Sequence, residues 1–311
     1  MVVPRACALV LVAVAVASCG ESHPRASRAA GAGGGARVVA QRRVAPRIVD
    51  LTIRSPALGT TAKVRLLTPD GWAARARGRR WPVLYLLHGC CDTYDSWTRS
   101  TDVEDLPALR RVLVVMPAGG EVGFYSNWRD GPAWETFHLT DLRAILERRY
   151  GAGTPRAIAG LSMGGLGAMD YAARHPGMFA AAASYSGALD PLREPRYWLG
   201  LFSAYTPDPD AVWGDPKADR RTWAAHDPTE LASRLRGTRL FVASGNGRHG
   251  GRRDPIEATV YGESRAFVAQ LRRLRIPVRT DFYGPGTHSW PYWQRDLRRS
   301  LPLLLGALTP R

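Results

Sequence analysis

Gly160-Leu161-Ser162-Met163-Gly164 sets one serine between two glycines. A short apolar run, Ala157-Ile158-Ala159, precedes it, and an Ala/Gly/Met-rich segment, Leu166 to His175, follows. This is the G-x-S-x-G pattern in a strand–turn–helix context, which suits a serine acting as a nucleophile. A serine turned sharply between strand and helix brings the residues two positions to either side too close for side chains. Gly160 and Gly164 meet that demand. The backbone N–H of Met163, at the start of the helix, then points at whatever Ser162 attacks and supplies one oxyanion donor, aided by the helix dipole.

A serine hydroxyl is a poor nucleophile until a base takes its proton, so a histidine and an orienting acid are required. On sheets carrying this turn they follow in the order Ser, acid, His. Of seven histidines, His23 lies in an N-terminal low-complexity stretch, His88 precedes the serine, and His138 and His175 fall in helical patterns. His226 and His249 sit in loops without a strand leading into them. His288, in Gly284-Pro285-Gly286-Thr287-His288-Ser289-Trp290, directly follows the last strand-like run and is the expected base. The acid belongs after the run ending near Ala243. Asp254, Glu257 and Glu263 are all candidates, and spacing alone favours Asp254.

The second oxyanion donor is expected from the loop His88-Gly89-Cys90-Cys91, where an HG dipeptide follows an apolar run. The Cys90 N–H is the candidate. The side chains of Cys90 and Cys91 read as structural, because no base is at hand to activate a thiol. Trp97, Phe124, Trp128, Trp290 and Trp293 could line an acyl or acceptor cleft or simply pack a core. There is no HExxH, EF-hand, P-loop or dinucleotide fingerprint, so no metal or nucleotide cofactor is invoked.

These residues need a rigid frame. Arg47 to Arg54 and Ala62 to Thr68 alternate apolar and polar residues, as half-buried strands do. Val83–Leu87, Val112–Met116, Ala157–Ala159, Ala181–Tyr185 and Leu240–Ala243 are almost continuously apolar, as central strands covered on both faces are, and Val278–Phe282 is the last strand-like run. Helical spacing appears in Ala133–Tyr150 (Phe137, Leu142, Ile145, Leu146) and in Ser264–Leu274 (Phe267, Val268, Leu271). Strands alternating with helices predict an α/β fold with a mostly parallel central sheet flanked by helices. The Pro- and Trp-rich stretch Leu192 to Asp227 reads as an insertion or cap.

The chain has 311 residues, 45% of them hydrophobic, enough for a full core. Its formal charge is +16, carried by arginine apart from Lys63 and Lys217. The arginines are scattered and no nucleic-acid module is visible, so no nucleic-acid partner is expected. Residues 1–19 carry an early arginine and an apolar run from Ala6 to Ala17, too short to span a bilayer and suited to a signal segment. Val16-Ala17-Ser18-Cys19 resembles a lipobox, with Cys19 as the lipidated residue. The expectation is an exported protein, anchored to the cell membrane or secreted. Residues 20–46, rich in Gly, Ala and Arg, read as a flexible tether, and residues 47–311 as the catalytic domain. Cys90 and Cys91 are adjacent, so no disulfide framework is expected.

The domain resembles the esterase family that contains the mycobacterial antigen 85 mycolyltransferases and their actinobacterial relatives. The resemblance rests on Val115-Met116-Pro117-Ala118-Gly119-Gly120, Phe124-Tyr125-Ser126-Asn127-Trp128, Trp134-Glu135-Thr136-Phe137, Gly160-Leu161-Ser162-Met163, Gly245-Asn246-Gly247 and Gly286-Thr287-His288-Ser289-Trp290-Pro291-Tyr292-Trp293. It implies an α/β-hydrolase fold and acyl transfer through an acyl-serine. It also implies a Ser162–Glu257–His288 triad with oxyanion amides on Cys90 and Met163. Glu257 takes the acid role because the family's glutamate stands at the same distance before a phenylalanine as Glu257 does before Phe267. The transferases carry an aspartate where this chain has His88 and an arginine where it has Cys91. Those side chains contact trehalose in the family, so the resemblance carries ester cleavage over more directly than trehalose transfer. Substrate contacts are expected from His88, Trp97, Trp128 and Trp290. The expected partners are an acyl ester and, for a transferase, an envelope lipid or sugar acceptor. A third reading is a non-catalytic binding protein on the same fold. Relatives of that kind lack the nucleophile, which this chain keeps.

Overall fold

The computed structural model describes residues 35–72, 78 and 80–309. The signal segment, Cys19 and the tether as far as residue 34 lie outside the described residues. The chain from Gly34 onward forms one compact unit.

Nine strands build the main sheet: β1 Arg37–Ala45, β2 Ile48–Ser55, β3 Thr60–Leu67, β4 Trp81–Leu87, β5 Leu113–Pro117, β6 Ala152–Leu161, β7 Ala181–Tyr185, β8 Arg239–Ser244 and β9 Val278–Phe282. Their spatial order is β1-β2-β3-β5-β4-β6-β7-β8-β9. The links β1–β2, β2–β3 and β3–β5 are antiparallel, and the rest are parallel. The parallel half is where the continuous apolar runs fall. β4, β5 and β7 are buried almost throughout, because helices cover both faces.

The helices of seven residues or more are α1 Arg143–Arg149, α2 Met163–Arg174, α3 Pro195–Ser203, α4 Pro255–Arg273 and α5 Trp290–Gly306. The helical pattern over Ala133–Tyr150 is realised in three pieces, with a wider π turn at Phe137–Leu142 between Trp134–Thr136 and α1. The tether expectation fails at its C-terminal end. Residues 37–45 form β1, paired along β2 and tied by the Tyr150 hydroxyl donating to Gln41 Oε1 at 2.8 Å. Most of β1 is exposed on both faces, so it shows no apolar period.

The Leu192–Asp227 region folds as a helical cap made of α3 and the short helices Asp210–Trp213 and Arg220–Ala224. Its inward face is aromatic. Phe124 meets Phe202 at 4.9 Å and Trp213 at 5.5 Å between ring centroids, and Trp213 meets Trp223 at 5.2 Å. Such edge-to-face pairs each contribute about 1 kcal/mol beyond area burial. Phe124 therefore belongs to the cap's core rather than to an open cleft.

Candidate active site

β6 ends at Leu161 and α2 begins at Met163, so the chain turns on Ser162 alone. Its backbone is at φ 53°, ψ −123°, a conformation that side-chain-bearing residues rarely adopt and that is held here by its surroundings. The Ser162 N–H donates to Tyr185 O at 2.9 Å. A Cβ on Gly160 would lie 2.2 Å from Gly164 O, and one on Gly164 would lie 2.5 Å from His88 O. The two glycines therefore let the serine turn and the His88 loop touch.

His288 sits on the loop between β9 and α5. Its Nε2 is 2.9 Å from Ser162 Oγ and its Nδ1 is 2.9 Å from Glu257 Oε2. Glu257 is fully buried in the first turn of α4. Its Oε1 accepts from Ser186 Oγ (2.9 Å), Ser244 Oγ (2.9 Å) and the Gly245 N–H (2.7 Å). These donors offset the cost of burying a carboxylate and leave Oε2 to the imidazole. The structure thus brings Ser162, His288 and Glu257 into one hydrogen-bonded row. It does not give Asp254 the place that spacing favours. Asp254 caps α4, taking the Glu257 N–H on Oδ1 at 3.1 Å, while its Oδ2 takes the His288 N–H at 2.8 Å. It holds both members of the row without touching the ring. Glu263, farther along α4, accepts from Trp198 Nε1 in the cap at 2.9 Å.

The other described histidines are occupied elsewhere. His138 lies between Tyr171 Oη and Ala118 O, and burial pushes it down to about 4. His175 meets Glu135 at 2.6 Å, His226 meets Asp170 at 3.1 Å, and His249 meets Tyr292 Oη at 3.2 Å.

A cavity of 330 Å³ opens on Ser162, lined by Gly89, Cys90, Asp92, Leu161, His288, Ser289, Trp290 and Trp293. A larger cavity, 820 Å³, lies at the far ends of β4 and β6 beside Trp81 and Ala152, away from these groups. Trp290 and Cys90 thus line the cavity that opens on Ser162. The Met163 side chain is buried behind the turn, its sulfur accepting from the Phe124 N–H at 3.4 Å, and its amide opens α2.

Three of the expected substrate contacts do not line this cavity. Trp97 is fully buried and donates through Nε1 to Leu87 O at 3.2 Å. Trp128 is half-buried and donates to Gly123 O at 3.2 Å. His88 is buried, taking the Gly119 N–H on Nε2 at 2.8 Å, with Nδ1 2.8 Å from Gly89 O. Aromatic and imidazole side chains serve core and cleft equally, so residue type alone does not separate the two.

Cys90 and Cys91 are joined by a disulfide, S–S 2.11 Å. The bond links neighbours, so it closes a small ring beside Ser162 rather than a long loop, and it leaves no free thiol at the site. Ser186 and Ser244, which hold Glu257, carry no sequence motif. Their only signal is position, just past the end of β7 and at the end of β8. Among the described residues no cluster of His, Cys, Asp or Glu is placed to hold a metal ion.

The sequence profile of the family described as Esterase matches residues 55–304. The chain is 37% identical over 264 residues to Esterase Rv1288 of Mycobacterium tuberculosis, covering 79% of this chain and 56% of that protein. It therefore spans about half the length of that relative. It is 32% identical over 301 residues to the Diacylglycerol acyltransferase/mycolyltransferase Ag85B of Mycobacterium intracellulare, covering 89% of this chain and 88% of that one. Among solved structures, Mycobacterium tuberculosis MPT51 (FbpC1) superposes with a TM-score of 0.71 at 29% identity, covering 83% of this chain and 98% of the other. Profile, relatives and architecture agree, and the chain belongs to the esterase family on the α/β-hydrolase fold.

Proposed function

We propose that this chain is a serine-dependent carboxylic-ester hydrolase. The observation that carries the reading is the row Ser162 Oγ–His288 Nε2–His288 Nδ1–Glu257 Oε2, each link 2.9 Å, opening on a cavity. His288 takes the Ser162 proton as Oγ attacks the ester carbonyl carbon. The Cys90 and Met163 amides face the oxygen that becomes negative. The imidazolium, steadied by Glu257, gives its proton to the departing alcohol. Water then attacks the acyl-serine by the same route in reverse.

The acyltransferase reading differs only in the second acceptor, and the 32% identity to Ag85B favours it. Hydrolysis is preferred because the side chains at the two acceptor-contacting positions are occupied: His88 is buried, and Cys91 is tied to Cys90. The non-catalytic reading has no feature in its favour while the row is intact. A cavity of 330 Å³ is at the low end for ligand sites, so short acyl esters are expected to turn over best. Export with lipidation at Cys19 completes the reading, supported by the lipobox-like Val16-Ala17-Ser18-Cys19. The mass of the N-terminal peptide from the cell envelope tests it, and an unmodified Cys19 there overturns it.

The deciding experiment measures turnover of p-nitrophenyl esters of increasing chain length, with trehalose or glycerol added to half the reactions. Ser162→Ala is expected to lower kcat by about 10⁶-fold while the protein stays folded. Free acid as the sole acyl product, alongside p-nitrophenol, supports the hydrolase. New ester formed at its expense makes the chain a transferase. A wild type as inert as the variant on every ester leaves only the binding-protein reading.

A further inference from the structure

The loop between β4 and the Cys90–Cys91 disulfide is held at one backbone group after another. Trp97 Nε1 donates to Leu87 O at 3.2 Å. Tyr125 Oη donates to His88 O at 3.0 Å. The Cys91 N–H donates to Glu121 O at 2.9 Å. The Gly89 carbonyl is met by the ring of the residue before it, His88, through Nδ1 at 2.8 Å. The Cys90 N–H makes no hydrogen bond among the described residues.

The Gly89 carbonyl and the Cys90 N–H belong to one peptide group. That group is planar, and its C=O and N–H point in opposite directions. Fixing the carbonyl on one side therefore aims the N–H on the other. The free side is the Ser162 side: Cys90 lines the cavity with Ser162, and a Cβ on Gly89 would lie 3.1 Å from Ser162 Cβ.

The His88 tautomer is fixed by its second partner. The Gly119 N–H donates to Nε2, so that nitrogen carries no proton and Nδ1 must be the N–H that donates to Gly89 O. Burial lowers the His88 pKa and keeps the ring neutral, so both bonds persist. Gly119 is the second residue of the loop after β5, which links the peptide's orientation to the neighbouring strand's exit.

We propose that His88 is a positioning residue for the oxyanion hole: its Nδ1–H, held in that tautomer by the Gly119 amide, orients the Gly89–Cys90 peptide so that the Cys90 N–H is aimed where the substrate oxyanion forms. The inference rests on the hydrolase reading. It assigns His88 a role in the transition state without contact to substrate. It also gives a reason for imidazole here, since the ring donates to one backbone group and accepts from another.

The two bonds can be separated by isosteres of each ring nitrogen. His88→Asn retains a donor near Nδ1 and lacks an acceptor near Nε2. His88→Gln retains the acceptor and lacks the donor. Turnover of a short p-nitrophenyl ester, inhibition by a trifluoromethyl ketone of the same acyl length, and the Tm are measured for the full chain and both variants. H88Q is expected to lose about 100-fold in kcat, the scale of removing one oxyanion donor, with KM within about threefold. Its affinity for the ketone, which mimics the oxyanion, falls in proportion. H88N is expected to keep kcat within about tenfold of the wild type despite a lower Tm. H88Q with the wild-type kcat overturns the proposal, as does a loss in both variants that only follows Tm. A wild type without esterase turnover overturns the hydrolase reading itself and this inference with it.

Discussion

Glu257 and Glu263 lie on the same helix, α4, and both are fully buried. Glu257 looks toward the ends of β7 and β8, where two serine hydroxyls and an amide meet one oxygen and His288 meets the other. Glu263 looks toward the base of the cap. It has the Trp198 indole N–H at 2.9 Å and the Asp190 N–H at 3.4 Å, with the charges of Asp190 and Asp227 close by. Burial is the largest influence on Glu263 and helps push its carboxyl up to about 8. The same side chain meets an imidazole in one place and the indole of a cap helix in the other. The donors arranged around each carboxyl make that difference, since burial is common to both.

The sharpest way to break this comparison is Glu257→Gln. The amide oxygen would take over the three donors on one side, leaving the amide NH₂ facing His288 Nδ1. The ring would then have to carry its proton on Nε2, where it cannot accept the one on Ser162. An expected fall of about 10⁴-fold in kcat follows, with the fold intact by circular dichroism. A variant keeping a tenth of the activity or more would remove Glu257 from the row. Asp254→Ala is next in size. It removes the cap of α4, worth about 1 kcal/mol, and frees the His288 backbone. A base displaced by a fraction of an ångström is expected to lower kcat by about 10- to 100-fold. If D254A proved more damaging than E257Q, Asp254 would be the orienting acid after all.

Sequence order and local chemistry made much of this legible. β7 coincides with the run Ala181–Tyr185, because a strand covered on both faces leaves few polar positions to blur its ends. β9 coincides with Val278–Phe282 although it is an edge strand carrying Arg279 and Asp281 and is only partly buried. Ser162 and His288 follow from a turn that only a few residues allow and from the chain order of the groups. Spacing points to Asp254, the first carboxylate after β8, and not to Glu257, the carboxylate that meets the His288 ring. Asp254-Pro255-Ile256-Glu257 nevertheless carries a cap signature, an Asp before Pro with Glu three residues after it. That pattern separates the cap residue from the carboxylate that faces His288. β1 was hidden because a strand exposed on both faces has no period to read. Residue type suggests a cleft for Trp97 and the family resemblance suggests one for His88, whereas partners far along the chain decide their place: the Gly119 amide for His88, and the Tyr185 and Trp290 rings packed on Trp97.

The smallest effect sharpens the Glu263 side. A carboxyl whose pKa is higher in the folded state than the unfolded value of about 4.3 binds its proton more tightly when folded. Its contribution is fully present below the unfolded value and is lost as pH rises toward about 8. Asp227, pushed up to about 7, and Asp296, pushed up to about 8, both mainly by burial, act in the same direction over much the same range. Wild-type Tm is therefore expected to fall between pH 6 and pH 9. Glu263→Gln keeps an acceptor for the Trp198 indole and has no proton to lose in that window. It should make the decline shallower by up to about 1 kcal/mol per pH unit, while Asp227 and Asp296 keep the rest of the slope. Esterase turnover near pH 7 should stay within about twofold of the wild type, because the Ser162 row is untouched. Thermal melts of the two proteins from pH 5 to pH 9 read this directly. Parallel curves would mean that Glu263 is already ionised beneath the cap and that its two N–H donors suffice to hold the charge.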